Sequence, residues 1–177
     1  MSTNDLAYMS ATELAARIKE KSLSPVEVTT ALLDRAERSQ ATLNAFITIC
    51  ADAALAAARD AEAAVMRGDT LGALHGVPVT VKDLVNTAGI KTTFGSYVFE
   101  HNVPAKDAIA VARLKAAGAI IIAKTTTPEF GHKPLTEAPL FGRTGNAWSR
   151  DHTSGGSSGG AAVATAAGIA PLAISTD

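Results

Sequence analysis

The stretch best suited to chemistry is a run of small residues, Thr153-Ser154-Gly155-Gly156-Ser157-Ser158-Gly159-Gly160. Paired glycines let a chain turn tightly and bring its N–H groups up to a ligand with no side chain in the way. Two adjacent hydroxyls between them, Ser157 and Ser158, offer a nucleophile or a proton relay. A flexible Gly/Ser linker has the same composition. This run, however, is short. It opens directly into an Ala-rich helix expected over 161–167, then Gly168 as a C-cap and a buried strand expected over 171–175. It therefore reads as a turn into a helix N-terminus.

Hydroxyls of this kind need a base. Lys82 follows the apolar stretch Val77–Val81, and desolvation there would lower its pKa toward that of a usable base. On periodicity alone, the simpler reading is a strand-end lysine paired with Asp83 or reaching to water. Lys124 suits that structural role better still, because it leads into Thr125-Thr126-Thr127-Pro128. His75, His101, His132 and His152 show no metal-ligand spacing, and Cys50 is the single cysteine, so neither a zinc site nor an internal disulfide is expected. There is no G-x-S-x-G elbow, and no lysine follows the glycines as in a phosphate loop. Serine chemistry with lysine as base is what remains.

These groups need elements to hold them. Ser10-Ala11-Thr12-Glu13 is a capping box, in which Glu13 is expected to reach back to Ser10. Ser24-Pro25-Val26-Glu27 repeats the device with proline at the first helical position. Phe46–Ile49 reads as a strand, and Ala51–Arg67 as a helix ended by Gly68. Residues 1–70 thus form an N-terminal helical scaffold. From residue 71 onward the pattern changes to a strand over 77–81, a helix over 106–117 and a strand over 119–123. The expected fold is α/β, a mixed β-sheet covered by helices, with ligands beyond the carboxyl ends of the strands. Residues 71–177 are the first part of that core, and the two parts make one domain.

Composition narrows the function. With 177 residues, 47% hydrophobic and 19% charged, the chain can bury a core and is not disordered. Formal net charge is −1 and the basic residues are scattered, which argues against direct binding of nucleic acid. No apolar run is long enough to span a bilayer, and Met1–Asp5 lacks the features of a signal peptide, so a cytoplasmic protein is expected.

Several segments together resemble the amidase signature hydrolases. They are Gly76-Val77-Pro78-Val79-Thr80-Val81-Lys82-Asp83, Thr92-Thr93-Phe94-Gly95-Ser96, Thr127-Pro128-Glu129-Phe130-Gly131, Gly142-Arg143-Thr144-Gly145-Asn146 and the run from Gly155 to Gly160. They occur in the family's order and cover the chain from its first helix to its last residue. The resemblance implies a Ser-Ser-Lys triad. In it, Lys82 is the catalytic lysine and Ser157 the bridging serine, which follows a cis peptide. Ser158 supplies a supporting hydroxyl, and Gly155 and Gly156 belong to the same loop. The implied nucleophile lies in a T-D-x-G-G-S-I-R stretch whose opening matches Thr176-Asp177. The chain is accordingly expected to be the N-terminal portion of an amidase, cut before the attacking residue and inactive alone. Leu84, Thr126 and Ala147 stand where the family often has Asn, Asn and Pro.

The implied function is hydrolysis of a small-molecule amide through an acyl-enzyme, with no metal or organic cofactor. The partner is then the remainder of the same enzyme, and a homo-oligomer is compatible. Within the family, one chain of an amidotransferase that releases ammonia from glutamine is the second reading. A truncated, non-catalytic chain that binds a partner through the Gly-Ser loop is a third.

Overall fold

The structure is a computed structural model that describes residues 3–176. Its elements are α1 (Thr3–Ala7), α2 (Ala11–Lys19), α3 (Pro25–Leu43), β1 (Phe46–Ile49), α4 (Ala51–Arg67), β2 (Pro78–Lys82), α5 (Ile109–Ala116), β3 (Ile120–Thr125), β4 (Glu137–Ala138), β5 (Gly142–Arg143), α6 (Gly159–Ala166) and β6 (Leu172–Ile174). Four strands form one mixed sheet in the order β1-β3-β2-β6. β2 runs parallel to both β3 and β6, and β1 closes the edge antiparallel to β3. β4 and β5 make a separate two-stranded ribbon.

Local chemistry explains most boundaries. The Ser10 hydroxyl accepts the Glu13 N–H at 3.2 Å, and the Ser24 hydroxyl accepts those of Val26 and Glu27 at 3.1 and 3.2 Å. Glu13 does not reach back to Ser10. Its carboxylate takes Arg17 one turn on, at 2.6 Å, where the opposite charge stands. Gly68, at φ +79°, ends α4 in the left-handed conformation. α5 starts at Ile109 and not at residue 106. Asp107 is drawn outward by the Ala88 N–H and by Lys115, while the Ala108 N–H goes to Asn86 O, so the chain here is extended.

The sheet buries both faces. The larger core packs Ile120, Ile122 and Ala123 against Leu14, Ile18, Val28, Leu32 and Ala58 of the N-terminal helices, and takes Val163 and Ala164 from α6. The smaller core joins Val79, Val81, Val85 and Ile121 to Val111 of α5. Burying such a side chain fully contributes roughly 1.5–3 kcal/mol relative to leaving it exposed. β3 faces both cores by alternation and carries one irregularity. Val79 pairs with Ile121 but Thr80 pairs with Ala123, so Ile122 is an extra residue, a β-bulge. Among the described residues no helix is long and apolar enough to cross a membrane.

Candidate active site

Lys82 is the last residue of β2 and is wholly buried. β2 is buried along its whole length, Pro78–Lys82, which is how a lysine comes to be carried so deep. Its Nζ donates to Ser157 Oγ at 2.6 Å, Ser158 Oγ at 2.8 Å and Thr176 Oγ1 at 2.8 Å. The Ser158 hydroxyl in turn donates to Thr176 O at 2.9 Å. Among the described residues the amine is therefore met by three hydroxyl oxygens from two segments. One is the turn before α6, and the other follows β6, the strand that neighbours β2. Ser157 and Ser158 are partly buried and Thr176 is exposed.

The turn is shaped by what surrounds it. The Gly156–Ser157 peptide is cis. A Cβ on Gly156 would stand 2.8 Å from the backbone of Leu135, a contact only glycine permits. Gly131 closes the other flank. A Cβ there would stand 2.5 Å from Leu84 Cδ1 and 3.7 Å from Ser157 Oγ, so the Pro128–Gly131 turn and Leu84 border the serine.

The structure brings together Lys82, Ser157, Ser158 and Thr176, with Gly155 and Gly156 in the adjoining turn. Asp177 lies outside the described residues. Asp83 does not pair with Lys82. It takes the Thr93 N–H at 2.8 Å and the Thr93 hydroxyl, and its other oxygen lies 3.8 Å from Lys124 Nζ. Lys124 is wholly buried and donates to Val85 O at 2.6 Å, Thr87 Oγ1 at 3.0 Å and Thr92 Oγ1 at 2.8 Å. Burial pushes the Lys124 ammonium down to about 8, against the pull of Asp83. Burial likewise raises the Asp83 carboxyl, against the Thr93 hydrogen bonds and Lys124. Desolvation, more than the mutual attraction, dominates this pair. Cys50 is also buried, and burial pushes its thiol up to about 11, so it is a poor nucleophile. Among the described residues no group of three or more His, Cys, Asp or Glu side chains gathers as a metal site would.

Sequence reasoning missed Thr136. Its hydroxyl donates to Gly155 O at 2.8 Å and accepts the Gly159 N–H at 2.9 Å. No motif marks it. The only available signal was the rule that a buried glycine turn must have its backbone polar groups satisfied by something.

A family model described as Amidase matches residues 27–177. One chain of the glutamyl-tRNA(Gln) amidotransferase of Carboxydothermus hydrogenoformans is 41% identical over 173 residues, covering 98% of this chain and 36% of that protein. An acylamidase of Rhodococcus erythropolis is 38% identical over 177 residues, covering 100% of this chain and 37% of its own length. Among solved structures, a bacterial aryl acylamidase of the amidase signature family superposes with a TM-score of 0.89 at 31% identity, over 94% of this chain and 35% of the other. The chain thus spans about a third of the length of the relatives it matches.

Proposed function

Because the chain belongs to the amidase family, we propose that it carries the base and the relay hydroxyl of a serine amidase, which cleaves a carboxylic amide through an acyl-enzyme. The observation that carries this reading is the 2.6 Å contact between Lys82 Nζ and Ser157 Oγ, with the amine buried. Neutral Lys82 takes the proton of Ser157 Oγ as Ser157 takes that of the attacking serine. The attacking oxygen bonds to the carbonyl carbon, and the π pair moves onto the carbonyl oxygen, which backbone N–H groups hold. Collapse breaks the C–N bond, and the departing amine takes its proton from Ser157, which is refilled from Lys82. Water then repeats the sequence against the acyl-enzyme. Ser158 and Thr176 orient the amine, so that its lone pair faces Ser157 when it is neutral.

The attacking serine is assigned to the T-D-x-G-G-S-I-R stretch of the family pattern. No T-D-x-G-G-S occurs within the 177 residues, and Thr176-Asp177 matches only its opening. The test is hydrolysis of a simple aryl amide by the chain alone and by the chain continued with the uncovered length of the R. erythropolis acylamidase. Turnover is expected from the continued chain only, falling by about 10³-fold or more on Lys82→Ala and on Ser157→Ala. Turnover that survives Lys82→Ala would remove the base assignment. Turnover by the chain alone, lost on Ser157→Ala, would move the nucleophile into the residues described.

A second reading, ammonia release from glutamine within an amidotransferase of several chains, is favoured by the 41% identity to one chain of such an enzyme. Glutamine offered as the sole amide separates the two. Ammonia release that requires added partner chains supports the second reading, and turnover of simple amides without partners supports the first.

A further inference from the structure

We infer that Thr136 is a positioning residue for the Lys82–Ser157 pair: one buried hydroxyl holds both shoulders of the glycine-serine turn and thereby sets where Ser157 Oγ stands against Lys82 Nζ. The inference rests on the assignment of Lys82 and Ser157 proposed above, and deepens it. Thr136 is 2% exposed. Its hydroxyl donates to Gly155 O at 2.8 Å, before the two serines, and accepts the Gly159 N–H at 2.9 Å, after them. A hydroxyl has one proton to give and lone pairs to receive, and here both capacities are used on one turn.

The fit is close. A Cβ on Gly159 would fall 2.3 Å from Thr136 Oγ1 and 2.5 Å from Ser154 Oγ. Thr136 is itself anchored. Its carbonyl accepts the Thr144 N–H at 3.0 Å, and Thr144 Oγ1 donates to Asn44 O at 2.9 Å and lies 2.7 Å from Thr126 Oγ1. A brace therefore runs from the turn, through two threonines, to the junction of α3 and β1. Thr136 has no hydrogen bond to Lys82, Ser157 or Ser158, so it acts on the relay only through the backbone that carries the serines.

The test uses the two wholly buried lysines, Lys82 and Lys124, as reporters in one sample. The folded chain is treated briefly with an amine-acylating reagent, and modification at each lysine is quantified by peptide mass spectrometry. Loss of overall stability exposes both lysines together. Loss of the turn exposes Lys82 alone, because only Lys82 is capped by Ser157 and Ser158. Thr136→Val removes the hydroxyl and both its hydrogen bonds at nearly constant shape, and the Lys82:Lys124 ratio is expected to rise by about tenfold or more, tenfold being roughly the factor for loss of a single hydrogen bond. Thr136→Ser keeps the hydroxyl and should leave the ratio within about twofold of the wild type.

An unchanged ratio in folded Thr136→Val overturns the inference, as does a parallel rise at both lysines. If the valine variant does not fold, Thr136→Ala, which also lacks the hydroxyl, decides: a selective rise at Lys82 supports the brace, and an unchanged ratio or a parallel rise overturns it. The readout needs no turnover, so it stands or falls separately from the amide-hydrolysis assay.

Discussion

At the scale of single residues, the two buried lysines have different company. Among the described residues Lys82 meets the hydroxyls of Ser157, Ser158 and Thr176, and Lys124 meets a carboxylate, two threonines and a carbonyl. The consequence for Lys124 is a pH dependence of stability with a definite sign. Its folded pKa is about 8, below the roughly 10.4 of an unfolded lysine. Between those values the unfolded chain binds more protons, so stability rises with pH. Cys50 works the other way. Its folded pKa of about 11 exceeds that of an unfolded thiol, so it lowers stability as pH rises from about 9 to 11. In a Cys50→Ala background, urea denaturation between pH 8 and 10 should show stability rising by on the order of 2 kcal/mol. Adding Lys124→Met should flatten that rise; a slope that persists would mean Lys124 is not its source. The role of Lys124 was legible as structural, because it runs into a threonine turn. Its pairing with Asp83 was not, because adjacency of Lys82 and Asp83 in sequence suggested the wrong partner.

At the scale of elements, the glycines before α6 matter more than helix propensity does. The sequence pattern starts that helix at Ala161, because glycine is a poor helix former. It starts at Gly159, because the chain there passes too close to its neighbours for any other residue. A Cβ on Gly160 would stand 2.3 Å from Thr126 Oγ1, 2.5 Å from Thr126 N and 2.7 Å from Ala45 O. Two of these three are backbone atoms at strand ends that cannot retreat. Gly160→Ala should therefore cost about 1–3 kcal/mol or more, despite alanine's better propensity, in a denaturant titration. A neutral or stabilising result would mean the helix start can shift. Elements with caps or strong periodicity, such as α4 at Ala51–Arg67, were legible to the residue. Elements whose ends depend on a distant partner were not. α5 lost its expected first residues to the tie of Asp107 with Ala88, nineteen residues back, and with Lys115 of α5 itself.

At the scale of the whole molecule, the sequence pattern identified a helix-covered mixed sheet and the segments that build the candidate site. Strand order was not visible in it, because β1 crosses to the far edge of β3 and β6 joins the other side of β2. Nor was the bulge at Ile122, since three consecutive isoleucines give no alternation from which a register could be read. That single extra residue has an electrostatic consequence. With it, Val81 pairs with Lys124 and Lys82 with Thr125, so the two lysines leave the sheet on opposite faces. Were the same residues paired in a regular ladder from the Val79–Ile121 pair onward, with Ile122 opposite Thr80, Lys124 would stand directly opposite Lys82 on the same face. Two ammonium groups would then share one buried layer, on strands roughly 5 Å apart. Ile122 is wholly buried in the larger core, so Ile122→Ala, which keeps the register, should lose about 2–5 kcal/mol by thermal or urea unfolding. A loss well under about 1 kcal/mol would mean that the bulged residue does not pack in that core. β3 is in this sense an insulator: the bulge keeps the amine held by the serine turn apart from the amine that faces Asp83.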